Sequence, residues 1–314
     1  MVIHTLDLNF HGVAEAIAAY LIEGPAGPLL IETGPGASIP ALTARLAEHG
    51  YAPADIGHAL VTHIHLDHAG AAGWLAEQGT RIYVHPVGAP HLVDPARLLA
   101  SAGRIYGDQM DWLWGPMLPV PAEQLTVLAD GERVDICGLA ITPIDTPGHA
   151  GHHFTYRIGS ARNGTSREAS SSGGDVAFTG DAAGVRLPGQ RMVALPAPPP
   201  EFDLELWDRT LTRLADQQLA RIYLTHFGAF DDVAVHLAEL RELMHDSAAF
   251  VRAAMGEGVA RDALVERYTA WNRARAEDLG VPEDAFAAYE LANPLYMAVD
   301  GLMRYWRKRG VAGV

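Results

Sequence analysis

The sequence predicts an α+β protein in which strands carry metal-type side chains to one rim of a sandwich and a helical tail follows. Three observations predict it. The apolar run Ala59-Leu60-Val61 leads straight into Thr62-His63-Ile64-His65-Leu66-Asp67-His68. Three later runs end the same way: residues 139–144 precede Thr146-Pro147-Gly148-His149, a second closes on Phe178-Thr179-Gly180-Asp181, and a third on Tyr223-Leu224-Thr225-His226. From Asp231 onward the strand signals stop and apolar residues recur at helical spacing.

Neutral imidazoles and carboxylates are the ligand set of catalytic zinc and similar divalent ions. In an extended stretch, side chains two apart share a face, so His63, His65 and Asp67 point together, and a turn into a helix brings His68 round. For any single one of the 15 histidines, a hydrogen-bonded place in the core is the ordinary explanation. Four metal-type side chains within six residues, with three more at strand ends downstream, outweigh it.

This motif set, His-x-His-x-Asp-His, Thr-Pro-Gly-His, Thr-Gly-Asp and a late Thr-His, resembles the metallo-β-lactamase superfamily over roughly residues 1–230, and is closer to its glyoxalase II and lactonase-like branches than to true β-lactamases. The resemblance implies a four-layer αββα sandwich. It also implies that His63, His65 and His149 hold one ion, that Asp67, His68 and His226 hold a second, and that Asp181 bridges them. The cofactors would be two divalent ions, zinc by default, with iron and manganese accepting the same ligands. The chemistry implied is hydrolysis of an ester or thioester by a hydroxide shared between the ions, with Asp67 moving a proton. A lactonase is the second reading. A single-iron persulfide oxygenase is the reading from another class, disfavoured by the full second set of donors.

The formal net charge of −15 argues against nucleic acid and for a small-molecule substrate. No run approaches the length of a membrane span, and the first residues lack the basic and apolar segments of a signal peptide. With a single cysteine, Cys137, placed in a strand-like stretch and read as buried and inert, the expectation is a cytoplasmic protein.

Residues 16–22 and 28–32 read as a hairpin around Gly24-Pro25-Ala26-Gly27. Glu32 stands where relatives commonly carry aspartate in Asp-Thr-Gly, and is read as tying down its loop rather than supporting the ligands. Residues 38–49 form a helix with Leu42, Leu46 and His49 inward. Between the strand 81–84 and residue 123 lies an aromatic, proline-cut insertion (about 85–123), read as a lid or substrate wall, with a homodimer contact through Trp112 and Trp114 as the alternative. Strands resume at 133–136, 139–144 and 154–156. His152 and His153 read as rim residues, and 163–174 as a hairpin tip. Arg186 is a candidate grip for an anionic substrate, balanced against a solvated loop arginine. Pro196 to Pro200 form a stiff connector into a helix capped by Asp203, with Leu204, Trp207, Leu211 and Leu214 as its core stripe. The extension 231–314 reads as three helices. The last is capped by Asn293 ahead of Pro294 and turns Tyr296, Val299, Met303 and Trp306 inward.

Overall fold

The computed structural model describes residues 1–159 and 174–311; of the hairpin tip expected at 163–174, all but the last residue lies outside this set. Among the described residues, twelve strands form two six-stranded sheets. The first takes β1 (Val2–Asp7), β2 (Ala18–Gly24), β3 (Gly27–Ile31), β4 (His58–Leu60), β5 (Arg81–Val84) and β6 (Leu125–Val127) in sequence order. The second takes β7 (Val134–Ile136), β8 (Leu139–Asp145), β9 (Phe154–Gly159), β10 (Val176–Gly180), β11 (Arg221–Leu224) and β12 (Gly228–Phe230), also with neighbours in order. β1–β3 are antiparallel and β3–β6 parallel. In the second sheet only β10 and β11 pair in parallel.

Strand alternation sorts the side chains into two cores. Tyr20, Ile22, Leu29, Ile31 and Leu60 point between the sheets and join Phe154, Tyr156, Ile158 and Phe178 in one buried cluster. Their neighbours Ala19, Leu21, Leu30, Ala59 and Val61 point the other way. They meet Leu42 and Leu46 of α1 (Ile39–Glu48) and Leu75 of the short helix Ala72–Glu77, which follows the single turn Leu66–Ala69. Each large side chain fully buried in this way contributes about 1.5–3 kcal/mol. The layering is that of the metallo-β-lactamase fold. His49, expected inward, is half-buried at the C-cap of α1 and lies against His4.

The hairpin β2–β3 turns through Pro25 and Ala26, with Gly24 paired to Gly27. Cys137 is not in a strand: it forms the two-residue turn between β7 and β8 with Gly138, at φ 54 and 75, and is partly exposed. The helix expected after the connector runs Leu204–Asp216. Asp203 caps it by accepting the Leu206 N–H at 3.0 Å, and Leu204, Trp207, Leu211 and Leu214 are buried.

The tail forms four helices, Val233–Gly256, Arg261–Asp278, Glu283–Ala292 and Leu295–Lys308, whose apolar faces join the inter-sheet cluster. The third of these was not foreseen. The last begins one residue later than expected: Asn293 is not its cap, and its side-chain amide donates to the Leu195 carbonyl at 3.1 Å. In that helix Gly301 lies so close to the Ala197 carbonyl that no side chain could be accommodated. No helix among the described residues is long and apolar enough to cross a membrane.

Candidate metal centre

All seven residues marked out by the motifs converge on one rim. β4, β8, β10 and β11 each end there, delivering respectively the 63–68 run, His149, Asp181 and His226. His63 Nε2 and His149 Nε2 lie 2.9 and 3.0 Å from His65 Nδ1. Asp67 Oδ2 lies 3.3 Å from His226 Nε2 and 3.7 Å from His68 Nε2. Asp181 spans the two groups: its Oδ2 is 3.3 Å from His149 Nε2, and its Oδ1 is 3.3 Å from His68 Nε2 and 3.6 Å from His226 Nε2.

The outer ring nitrogens explain why the inner ones face each other. His149 Nδ1 lies 2.8 Å from the Pro196 carbonyl and His226 Nδ1 2.7 Å from the Ala16 carbonyl. His68 Nδ1 lies 3.0 Å from the Glu32 carboxylate, and His63 Nδ1 3.1 Å from the Thr62 hydroxyl. A nitrogen facing an oxygen acceptor carries the proton, which leaves each Nε2 lone pair directed inward. Thr62 can accept from His63 because its own hydroxyl donates to Glu32 Oε1 at 2.5 Å.

His65 Nδ1 lies within 3.0 Å of two other imidazole nitrogens, a trio that protons cannot fully satisfy, whereas one divalent cation satisfies them together. His68 Nε2 and Asp181 Oδ1 are also buried without a hydrogen-bond partner. The donor set therefore fits divalent ions. Burial, reinforced by neighbouring histidines, holds His63 and His65 well below the usual imidazole range, so both are neutral at pH 7, the form in which imidazole can bind a metal. Burial acts against charge on His68 too, but the carboxylates of Asp67, Asp181 and Glu32 outweigh it and raise its pKa well above the usual value. Burial likewise works against the charged carboxylates of Asp67 and Asp181, yet His68 and its histidine neighbours hold both below the ordinary range. The pocket is thus built around positive charge.

Glu32 was expected to tie down its loop. It is 1% exposed, at φ 65, and its Oε1 meets Thr62, His68 and Thr225 at once, so it supports the donor set directly. His153 is not on the rim. It is fully buried, its Nδ1 bonded to the Thr146 hydroxyl at 2.8 Å and its Nε2 accepting the Asp181 N–H at 3.3 Å. Gly180, at φ 49, completes this fit: a Cβ there would strike Thr62 and His153. The carbonyls of Ala16 and Pro196 left no trace in the sequence, because a backbone acceptor has no residue signature.

Arg186 neither grips substrate nor sits in solvent. It is 9% exposed, its side chain bonded to both Asp232 oxygens at 2.9 Å and set over the Phe230 ring, while its backbone N–H donates to the His226 carbonyl at 2.8 Å. Arg186→Ala is expected to lower unfolding stability by about 1–2 kcal/mol, through loss of the charged hydrogen bonds to the exposed Asp232 and of packing on Phe230, without changing metal content. Denaturant unfolding and elemental analysis check this.

The cluster forms the floor of a cavity of about 550 Å³. The insertion supplies one wall through α5 (Ala96–Tyr106) and the following turn Met110–Trp114, with Leu98, Ile105, Tyr106 and Trp114 facing in. The connector prolines form another wall. Tyr296, expected in the core, is 37% exposed and lines the mouth instead.

A family model described as the metallo-beta-lactamase superfamily matches residues 12–162. A metallo-beta-lactamase fold-containing protein of Sulfurisphaera tokodaii is 24% identical over 177 residues, 55% of this chain and 61% of that protein. An uncharacterized protein of Mycobacterium tuberculosis is 28% identical over 136 residues, 43% of this chain and 54% of that protein. The chain thus matches little more than half the length of these curated relatives. Among solved structures, a metallo-beta-lactamase family protein of Thermus thermophilus superposes with a TM-score of 0.66 at 21% identity, covering 98% of this chain and 94% of that one. At that identity the likeness carries the fold. Residues 12–162 thus resemble the metallo-beta-lactamase superfamily, and the chain as a whole shares its fold.

Proposed function

We propose that the protein is a two-metal hydrolase of oxygen esters or lactones with an apolar acyl part. One observation carries this reading: two donor groups sharing Asp181 lie at the floor of a largely apolar cavity. Divalent ions bound there would lower the pKa of water and polarise a carbonyl. The residues do the rest. His63, His65 and His149 would hold one ion, and Asp67, His68 and His226 the other, with one Asp181 oxygen toward each. Asp67 keeps about a fifth of its side chain open to the cavity, which places its carboxylate to take a proton from water and return it to the leaving oxygen. The insertion and the connector prolines exclude water around the acyl part.

The lining narrows the substrate. Among the described residues it includes a single guanidinium, Arg97, on the exposed face of α5. A glutathione thioester, with its carboxylates, would find few partners there, whereas an uncharged ester or lactone requires none. Elemental analysis together with an aryl ester, a thioester and a lactone tests the reading. Two zinc ions per chain and turnover of the ester or lactone are the expected result. One iron per chain and no hydrolysis would replace it with the oxygenase reading.

A further inference from the structure

Five buried tyrosine hydroxyls in this protein find oxygen, and that of Tyr83 meets a His58 ring nitrogen at 2.9 Å. Tyr156 donates to the Val61 carbonyl at 2.9 Å, Tyr268 to Ser247 at 2.9 Å, Tyr289 to the Met192 carbonyl at 2.5 Å and Tyr305 to Glu205 at 2.7 Å. Tyr20 donates to the Leu224 carbonyl. That is the general rule, since a phenol removed from water without an acceptor is costly.

Tyr106, which is half-buried, departs from it. It is the last residue of α5, its ring is set edge-on against Trp114 at 5.1 Å, and it lines the cavity. The partner of its O–H among the described residues is the Met297 thioether, 3.7 Å away. A thioether is a weak acceptor. The ring is therefore fixed from two sides while the donor capacity of the hydroxyl is barely used. Burial, with the charge of Asp67 added, keeps the phenol protonated well above its ordinary pKa, so it can only be a neutral donor at working pH.

We infer that Tyr106 is a catalytic residue supplied by the insertion, donating a hydrogen bond to an oxygen of the bound ester or lactone group opposite the metal floor. The inference rests on the hydrolase reading for its substrate, but the hydrogen bond itself can be read without turnover. A carbonyl oxygen entering the cavity exchanges the weak sulfur contact for a strong one. The bond strengthens further as charge builds on that oxygen. No proton leaves Tyr106 in this role.

The test compares the zinc-loaded wild type with Tyr106→Phe, which keeps the ring and its packing. Both are titrated calorimetrically with hexananilide, an inert amide with the same acyl carbonyl, and assayed with phenyl hexanoate. With metal content and melting temperature unchanged, the variant is expected to bind the anilide about 3- to 10-fold more weakly, the worth of one neutral hydrogen bond. Ester turnover should fall about 10-fold or more. Equal binding together with equal turnover overturns the inference, as does a wild type that does not bind the anilide. A wild type that binds the anilide but leaves the ester intact overturns the hydrolase reading instead, and the ratio of the two dissociation constants still decides the role of Tyr106.

Discussion

Asp181→Ala is expected to lose metal and activity in one step. Its two oxygens face different donor groups, 3.3 Å from His149 Nε2 on one side and 3.3 Å from His68 Nε2 on the other, so the change weakens both. Polarisation of a carbonyl by a metal ion contributes several kcal/mol to a hydrolytic barrier, which converts to a fall of about 10³-fold or more in rate. Metal content should drop below two ions per chain in parallel. Elemental analysis and steady-state rates on the same preparation check both halves. A variant that keeps two ions and the wild-type rate would remove Asp181 from the centre altogether.

Replacing Glu32 should have the second largest effect, and by a different route. Glu32 touches no ion in the proposed arrangement; it fixes the groups that do. In Glu32→Ala, the Thr62 and Thr225 hydroxyls and His68 Nδ1 all lose their shared acceptor in a fully buried place. Breaking such a charged network costs about 3–5 kcal/mol of stability. Outer partners of ligating histidines are typically worth 10- to 100-fold in metal affinity, so affinity should fall by about that much. Glu32→Gln keeps the volume and one acceptor oxygen, and so should recover most of the stability while still binding metal more weakly. Denaturant unfolding and a competitive chelator titration separate the two effects. Wild-type metal affinity in both variants would return Glu32 to the loop-anchoring role read from the sequence.

The part of the centre legible in the sequence was the part made of side chains at strand ends. Histidine and aspartate are chemically distinctive, and each followed an apolar run long enough to read as a strand. What escaped was what residue identity does not encode. Ala16 and Pro196 act through carbonyls, and nothing in an alanine or a proline announces that its oxygen meets a histidine. Glu32 was visible as a departure from a pattern, but its role depended on Thr62 and Thr225 arriving from distant strands. Among the elements, the strands β1, β6 and β12 were not anticipated. Tyr296 was assigned to the core on its spacing with Val299 and Met303. That helix flanks a cavity, and its apolar stripe continues past the packed face onto the cavity mouth.

The contact between Gly301 and Ala197 ties the last helix to the proposed metal site. His149 takes its orientation from the Pro196 carbonyl, Pro196 adjoins Ala197, and Ala197 rests directly on the backbone of the last helix. The C-terminal helix is therefore a buttress for one imidazole about 150 residues earlier in sequence. A side chain introduced at position 301, though far in sequence from every proposed ligand, would act as a mutation of the proposed metal site.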